Sequence, residues 1–281
     1  MHIPASIILV IAISSVKTES DVDLKDKVAV VTGAARGIGR AIADHLLKEE
    51  VRVVIIVDKN LTQGLVTETE FKSKYGEEKV WFIHGDITID LDWVFDEIFE
   101  RYGYVNFLVN NAGIINEYDP VLTIYTNAVG TTLWSQKFYN AMRVDHGGKG
   151  GTIMNIASID AYSIDPFLWF YKTTKYAIYG LSVGLGHEWN YMSTNVRVYA
   201  LCPGFTYTQM TDQQMVVDEQ VDIFTKFRKV IIWQTADQVG QAVAKLYKFA
   251  KTGTAYTVEG GELSLSPLVY NVSGEFLLSL E

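Results

Sequence analysis

The sequence predicts a single-domain α/β fold whose sheet is built from parallel strands. Three observations carry this. Short apolar runs rich in valine and isoleucine alternate with amphipathic stretches of helical length. The first run, 27–32, passes through a glycine-rich turn directly into a helix. The 281 residues, 48% hydrophobic and 20% charged, suffice for one large domain with a substantial core. No internal repeat, low-complexity tract or linker divides the chain.

Composition excludes several classes. Net charge is −9, from 24 basic and 33 acidic residues, with no basic cluster suited to phosphate backbones. Nucleic-acid binding is therefore not expected. The single cysteine, Cys202, excludes an intramolecular disulfide and a multi-cysteine zinc site. It ends the apolar run 198–202, so it reads as a buried structural thiol rather than a nucleophile. No second histidine lies at metal-like spacing from His84, and no metal is expected.

The N-terminus departs from this pattern. Residues 3–13 are nearly all apolar, too short a run to span a bilayer. With the small residues Ala12 and Ser14 at its end in an A-x-A-like arrangement, the run fits a secretory signal peptide within residues 1–20. Its n-region carries no Lys or Arg, only the α-amino group and His2. An interfacial anchor or an uncleaved extension are the alternatives. Asn60-Leu61-Thr62 and Asn271-Val272-Ser273 are glycosylation sequons if the chain enters the secretory pathway. A native protein whose N-terminal sequence still begins at Met1 would refute cleavage.

Strand 27–32 is a valine-rich run suited to burial on both faces. Gly33-Ala34-Ala35-Arg36-Gly37-Ile38-Gly39 follows, then a helix over 40–50. Glycines permit close backbone approach, and the helix N-terminus offers free N–H groups to a pyrophosphate. Gly33, Gly37, Ile38 and Gly39 are the expected contacts. Strand 51–58 ends in Asp58, 19 positions after Gly39, where an acid accepts the ribose hydroxyls of NAD. A carboxylate there repels the extra phosphate of NADP, whereas Arg36 in the turn would attract it. Asp58 carries more weight because it sits at the strand end facing the adenosine ribose. Its plainer reading is a cap for the next helix.

Strand 79–84 leads to Gly85-Asp86-Ile87. Asp86 either contacts an adenine amino group or caps the helix at 91–102, and Ile87 lies beside it. Strand 105–109 leads to Asn110-Asn111-Ala112-Gly113. Small and amide residues at the C-terminal end of a parallel strand suit the ligand crevice of an open sheet. A helix over 122–143 contains Asn127, which propensity disfavours there. Local helix distortion, with a backbone carbonyl holding water, would account for it. Strand 152–157 ends at Ser158.

The loop 159–170 carries Tyr162, Phe167, Leu168, Trp169 and Phe170 and reads as one wall of an apolar substrate pocket, or as core. A helix over 171–191 contains Gly180, Gly184 and Gly186, small residues that allow close packing against the sheet or a partner subunit. Strand 195–201 ends in Pro203-Gly204-Phe205-Thr206, with Thr206 placed for a nicotinamide carboxamide. Residues 208–230 look polar and mobile, with Met210 and Met215 as a lid over the pocket. A helix over 236–250 and a seventh strand, 255–258, precede Gly260-Gly261 and an unplaced tail, 262–281.

The chemistry concentrates on Tyr171-Lys172-Thr173-Thr174-Lys175. A tyrosine and a lysine four apart share one helix face. Alone, such a pair reads as ordinary helix surface. With Ser158 thirteen residues upstream, it becomes a candidate reaction centre. The ammonium is expected to lower the phenol below its usual pKa of about 10 and suit Tyr171 to acid/base work.

In this order the motifs resemble the short-chain dehydrogenase/reductase family over 24–261. They are Thr32-Gly33-x-x-x-Gly37-Ile38-Gly39, Asn110-Asn111-Ala112-Gly113, Asn127, Ser158, Tyr171-x-x-x-Lys175 and Pro203-Gly204. Within the family the chain is most similar to the insect alcohol dehydrogenase and 15-hydroxyprostaglandin dehydrogenase branch. The apolar N-terminal extension and the tail depart from that branch, whose members are usually cytosolic.

The resemblance implies a Rossmann-type, doubly wound sheet of seven strands in the order 3-2-1-4-5-6-7. It implies hydride transfer between a nicotinamide cofactor, NAD favoured, and an alcohol or carbonyl, without a metal. Tyr171 would be the acid/base, Ser158 would position the substrate oxygen, Lys175 would bind the nicotinamide ribose, and Asn127 would complete a proton relay. Asn111, Ala112, Gly113, Pro203 and Gly204 would line the cofactor. Ser158, Leu168 and Tyr171 would meet an apolar, secondary alcohol. A homodimer or homotetramer would form through the 122–143 and 171–191 helices. An NADPH-dependent carbonyl reductase, favoured by Arg36, and a catalytically silent binding protein on the same fold are the competing readings.

Overall fold

The computed structural model describes residues 23–267. The apolar run 3–13 and the second sequon lie outside the described residues.

The chain opens with β1 (Val28–Thr32), α1 (Gly37–Lys48), β2 (Val53–Asp58), α2 (Leu61–Tyr75), β3 (Val80–His84), α3 (Leu91–Tyr102) and β4 (Phe107–Asn110). It continues through α4 (Pro120–Ile124), a π-turn (Tyr125–Gly130), α5 (Thr131–Met142), β5 (Gly151–Ile156), α6 (Trp169–Leu185) and α7 (Glu188–Thr194). It closes with β6 (Val196–Pro203), β7 (Thr206–Tyr207), α8 (Val221–Phe227), β8 (Gln234–Thr235), α9 (Ala236–Phe249), β9 (Ala255–Glu259) and β10 (Glu262–Leu265).

Seven parallel strands run β3-β2-β1-β4-β5-β6-β9, the expected order, and β10 adds an antiparallel eighth at the β9 edge. The burial of both strand faces explains the near-continuous apolar runs. Ala29, Val31, Val54 and Ile56 pack with residues of α1 and α9 on one side. Val28, Val30, Val53 and Ile55 pack with residues of α3 and α5 on the other. Strand order reverses at β1, which pairs with both β2 and β4. A crevice therefore opens above the carboxyl ends of these strands, where open α/β sheets bind ligands.

Four local departures from expectation have physical causes. The 122–143 helix is three pieces. Asp119 caps its start, accepting from Leu122 N at 2.9 Å with Pro120 at the first position, and the π-turn interrupts it around Asn127. The 171–191 helix stops at Gly186, where a Cβ would lie 2.0 Å from the Val198 carbonyl oxygen, and α7 restarts two residues on. The tail does not leave at Gly261. Gly260 and Gly261, at φ +58° and +85°, make a two-residue hairpin turn, and Glu262 returns opposite Glu259. Finally, 208–230 is mostly exposed and polar, as expected, but is anchored at a few buried apolar positions. Met215, Val216 and Phe224 are buried with Phe167 and Leu168 in a small apolar cluster.

Candidate active site

The glycine turn is held from beneath. Gly33 sits at φ +64°, and a Cβ there would lie 2.7 Å from Ala112 Cα. At Gly39 a Cβ would lie 2.3 Å from the Gly33 oxygen and 2.5 Å from Asn111 Nδ2. That amide donates to the carbonyls of Thr32 (2.9 Å) and Gly33 (3.1 Å). The Thr32 hydroxyl in turn accepts from the N–H groups of Asn111 (3.0 Å) and Ala112 (3.1 Å). Asn111 thus laces β1 to β4 and fixes the turn that meets the first N–H groups of α1. Gly37, at φ +58°, faces the cleft with only the Thr208 side chain and Gln209 nearby.

Asp58 is fixed by two backbone donors. Its Oδ2 accepts from Ala35 N at 3.0 Å and its Oδ1 from Asn60 N at 2.9 Å. It does not cap α2. Asn60 does, accepting from Gln63 N at 3.0 Å. Asp86 is not the cap of α3 either, since Asp90 holds that position. Asp86 instead accepts from the Thr88 N–H and hydroxyl. The Ile87 carbonyl accepts from Trp134 Nε1 at 3.0 Å, which pins this stretch to the buried face of α5.

One cleft takes in these positions and the reaction-centre candidates. It runs from Gly33, Arg36, Gly37, Ile38 and Asp58 past Asp86, Ile87, Asn111, Ala112 and Gly113 to Ser158, Tyr171 and Lys175. Pro203, Gly204 and Thr206 close its far side. Three candidates lie off its wall. Gly39 is beneath the turn. Asn127 lies behind Gly113, whose Cβ would be 3.2 Å from its Oδ1. Leu168, expected to touch substrate, is buried in the Phe167–Met215–Phe224 cluster. The loop's aromatic residues Tyr162, Phe167, Trp169 and Phe170 do not line the cavity either. Ile114, Ile115, Ile159, Phe205, Met210 and Met215 supply its apolar wall instead.

Lys175 is 4% exposed, donates to the Ile156 carbonyl at 2.9 Å, and lies 5.2 Å from the centre of the Tyr171 ring. Burial pushes its pKa down to about 8. Tyr171 is pushed up, first by burial and then by the Asp160 carboxylate, with the Ser158 hydroxyl partly opposing. The expected lowering of the phenol by Lys175 is therefore reversed in the protein alone, because desolvation disfavours both charged forms. Asn127 is engaged on both sides of its amide. It accepts from Ile114 N and donates to Ile114 O, both at 2.8 Å, and donates to Thr174 Oγ1 at 3.2 Å. The π-turn aims it there and ties the strand-end loop to α6.

Three residues escaped the sequence reading. Asp160 is buried beside Ser158, and Lys172 bonds both Asp160 and Asp165 at 2.9 Å. Their signal was present: Asp160 in a loop otherwise apolar and aromatic, and Lys172 in the first turn of the helix that follows it. Glu117 had none, since its partners lie more than fifty residues away. Its carboxylate accepts from Phe170 N (3.1 Å) and Tyr171 N (3.0 Å), capping the first turn of α6. Leu168, the residue before that helix, is at φ +54° and offers no side-chain cap. Glu117→Ala is expected to cost about 1–3 kcal/mol by orphaning two N–H groups, read as a lower urea midpoint. An unchanged midpoint would show that the cap does not hold α6.

Comparisons with known proteins agree with this geometry. The family model for short chain dehydrogenase matches residues 27–217. The chain is 34% identical over 188 residues to 15-hydroxyprostaglandin dehydrogenase [NAD(+)] of Macaca fascicularis, covering 66% of this chain and 70% of the relative. It is 31% identical over 255 residues to the NADP-dependent (R)-specific alcohol dehydrogenase of Lentilactobacillus kefiri, covering 85% and 97%. Among solved structures, 3-ketoacyl-(acyl-carrier-protein) reductase from Brucella melitensis complexed with NADH superposes with a TM-score of 0.72 at 26% identity, over 85% of this chain and 98% of that one. Parallel sheet, glycine turn and Ser158–Tyr171–Lys175 centre together with these matches lead to one conclusion: the chain belongs to the short-chain dehydrogenase family, oxidoreductases that move hydride between a nicotinamide cofactor and an alcohol or carbonyl.

Proposed function

We propose that this protein is an NAD-dependent dehydrogenase of a secondary alcohol carrying apolar groups. The observation that carries the cofactor choice is Asp58, fixed at the end of β2 by two backbone N–H donors and lining the cleft. Each carboxylate oxygen keeps a free lone pair for a ribose hydroxyl. The likeness to NAD-linked 15-hydroxyprostaglandin dehydrogenase supports the same choice.

When bound, the nicotinamide supplies or accepts the hydride. Tyr171 gives a proton to the substrate oxygen in reduction and takes one in oxidation. Ser158 holds that oxygen, Lys175 holds the nicotinamide ribose, and Asn127 completes a relay for the proton. The Ile114–Ile115 and Met210–Met215 walls support an apolar substrate. NADPH is the second reading, because Arg36, with no side-chain partner among the described residues, and Lys59 both line the cleft beside Asp58. Titrating the protein with NADH and NADPH decides between them. NADH is expected to bind at least about tenfold tighter, one pKa unit's worth of discrimination, and Asp58→Ser to erase the gap. A preference for NADPH would reverse the reading. Turnover of a panel of alcohols graded in chain length then tests the apolar substrate.

The protein is proposed to work as a homo-oligomer. Val121, Tyr125, Leu133 and Tyr176 expose apolar surface on α4, the π-turn, α5 and α6. A Cβ added at Gly180 or Gly184 of α6 would meet nothing within 4 Å among the described residues. Sedimentation of the purified protein as a monomer at micromolar concentration would remove this part of the reading.

A further inference from the structure

The substrate end of the cleft holds a charge that the hydride-transfer scheme leaves unused. Asp160 is 6% exposed and lines the cleft beside Ser158 and Tyr171. Its Oδ2 accepts from the Ser158 hydroxyl at 3.2 Å, and its own N–H donates to Ser158 Oγ at 3.1 Å. Its Oδ1 accepts from Lys172 Nζ at 2.9 Å. Lys172 does not belong to Asp160 alone. The same ammonium bonds Asp165 Oδ2 at 2.9 Å and the oxygens of Ser163. Two carboxylates thus share the Lys172 ammonium, which therefore neutralises the cleft-lining Asp160 only in part. Lys175 lies within electrostatic range of Asp160 and, with a pKa that burial lowers to about 8, keeps much of its charge at neutral pH, but its Nζ donates to the Ile156 carbonyl and faces the Tyr171 ring.

A buried carboxylate held in place is costly to leave near another anion, because few waters remain to screen the repulsion. Its Oδ1 also accepts from the Ser163 hydroxyl at 3.4 Å, which leaves Oδ2 one lone pair for a donor on an incoming molecule. We propose that Asp160, braced by Lys172, is a specificity-determining residue. It admits alcohols and carbonyls that are neutral or cationic next to the reacting carbon and rejects those with a carboxylate there. This rests on the reading of Ser158 and Tyr171 as the groups that meet the substrate oxygen. It adds a rule about substrate charge that the apolar walls do not supply.

The test uses the full chain saturated with NADH and two probes of one shape, isobutyramide and isobutyrate, with binding read by calorimetry. The wild-type complex is expected to bind the neutral amide at least about tenfold tighter, equivalent to one pKa unit of differential interaction. Asp160→Asn should bring the two probes close to parity, mainly by tightening isobutyrate. Tyr171→Phe should leave the discrimination in place, since the filter does not use the phenol proton. Equal affinities in the wild type, or no measurable binding of either probe, would overturn the proposal without any variant. A preference that survives Asp160→Asn would do the same. Because the readout is binding, a protein that discriminates the probes yet oxidises no alcohol would sink the proposed function and leave the charge filter standing.

Discussion

Tyr171→Phe is expected to lower turnover in both directions by about 10²–10⁴-fold, the range that a positioned acid/base contributes. Cofactor affinity should be preserved. The substitution removes one hydroxyl and keeps the ring that stands 5.2 Å from Lys175 Nζ, so α6 and its Glu117 cap have no reason to move. The pH profile separates this from a packing effect. Burial and Asp160 push the phenol up, so Tyr171 is protonated at neutral pH. Reduction needs that proton and should be flat from about pH 6 to 8. Oxidation needs the phenolate, a fraction that grows about tenfold per pH unit below the pKa, and should climb with pH. In the variant the climb should vanish. Steady-state rates across this range decide the matter, and a variant within fivefold of wild type would remove Tyr171 from the chemistry.

Gly39→Ala carries the second large effect, and it acts through backbone. The new methyl would sit 2.3 Å from the Gly33 carbonyl oxygen and 2.5 Å from Asn111 Nδ2. Neither is the free end of a flexible chain. The carbonyl belongs to the turn itself, and the amide is already committed to Thr32 and Gly33. Relief requires α1 to lift off the turn or Asn111 to release the carbonyls it holds. Overpacking of this kind costs about 1–3 kcal/mol, and each buried hydrogen bond lost adds about 1 kcal/mol. Both routes displace the first N–H groups of α1, which the proposed function assigns to a pyrophosphate. The variant should melt earlier and bind NADH weakly, by thermal unfolding and fluorescence titration respectively. Wild-type melting together with wild-type affinity would show that the turn yields freely and that the close contact has no consequence.

The sheet was legible because burial on both faces forces a nearly unbroken apolar run, and a run such as Val53–Asp58 between polar ends has few other readings. The glycine turn was legible because the clash at Gly39 and the φ at Gly33 exclude other residues. The β10 hairpin was also within reach, since two adjacent glycines before a short alternating stretch are a turn signal. Other features had no local cause. Position 186 at the end of α6 takes only glycine because a carbonyl of β6 passes close by, and Leu168 leaves the cleft because Met215 and Phe224 cover it from a segment about fifty residues on.

By itself the sequence determined the order of strands and helices, the strand-end positions of Asp58, Asn111 and Ser158, and the helical spacing of Tyr171 and Lys175. Each is a consequence of local geometry: strand period, helix period or the demands of a turn. Tertiary structure alone decided which side chains face the cleft, that Glu117 caps α6, and that Asp160 and Lys172 stand beside Ser158. It also reversed the direction of the Tyr171 shift. Electrostatic outcome depends on how much water packing removes from around both charges, and packing is a property of segments distant in the chain.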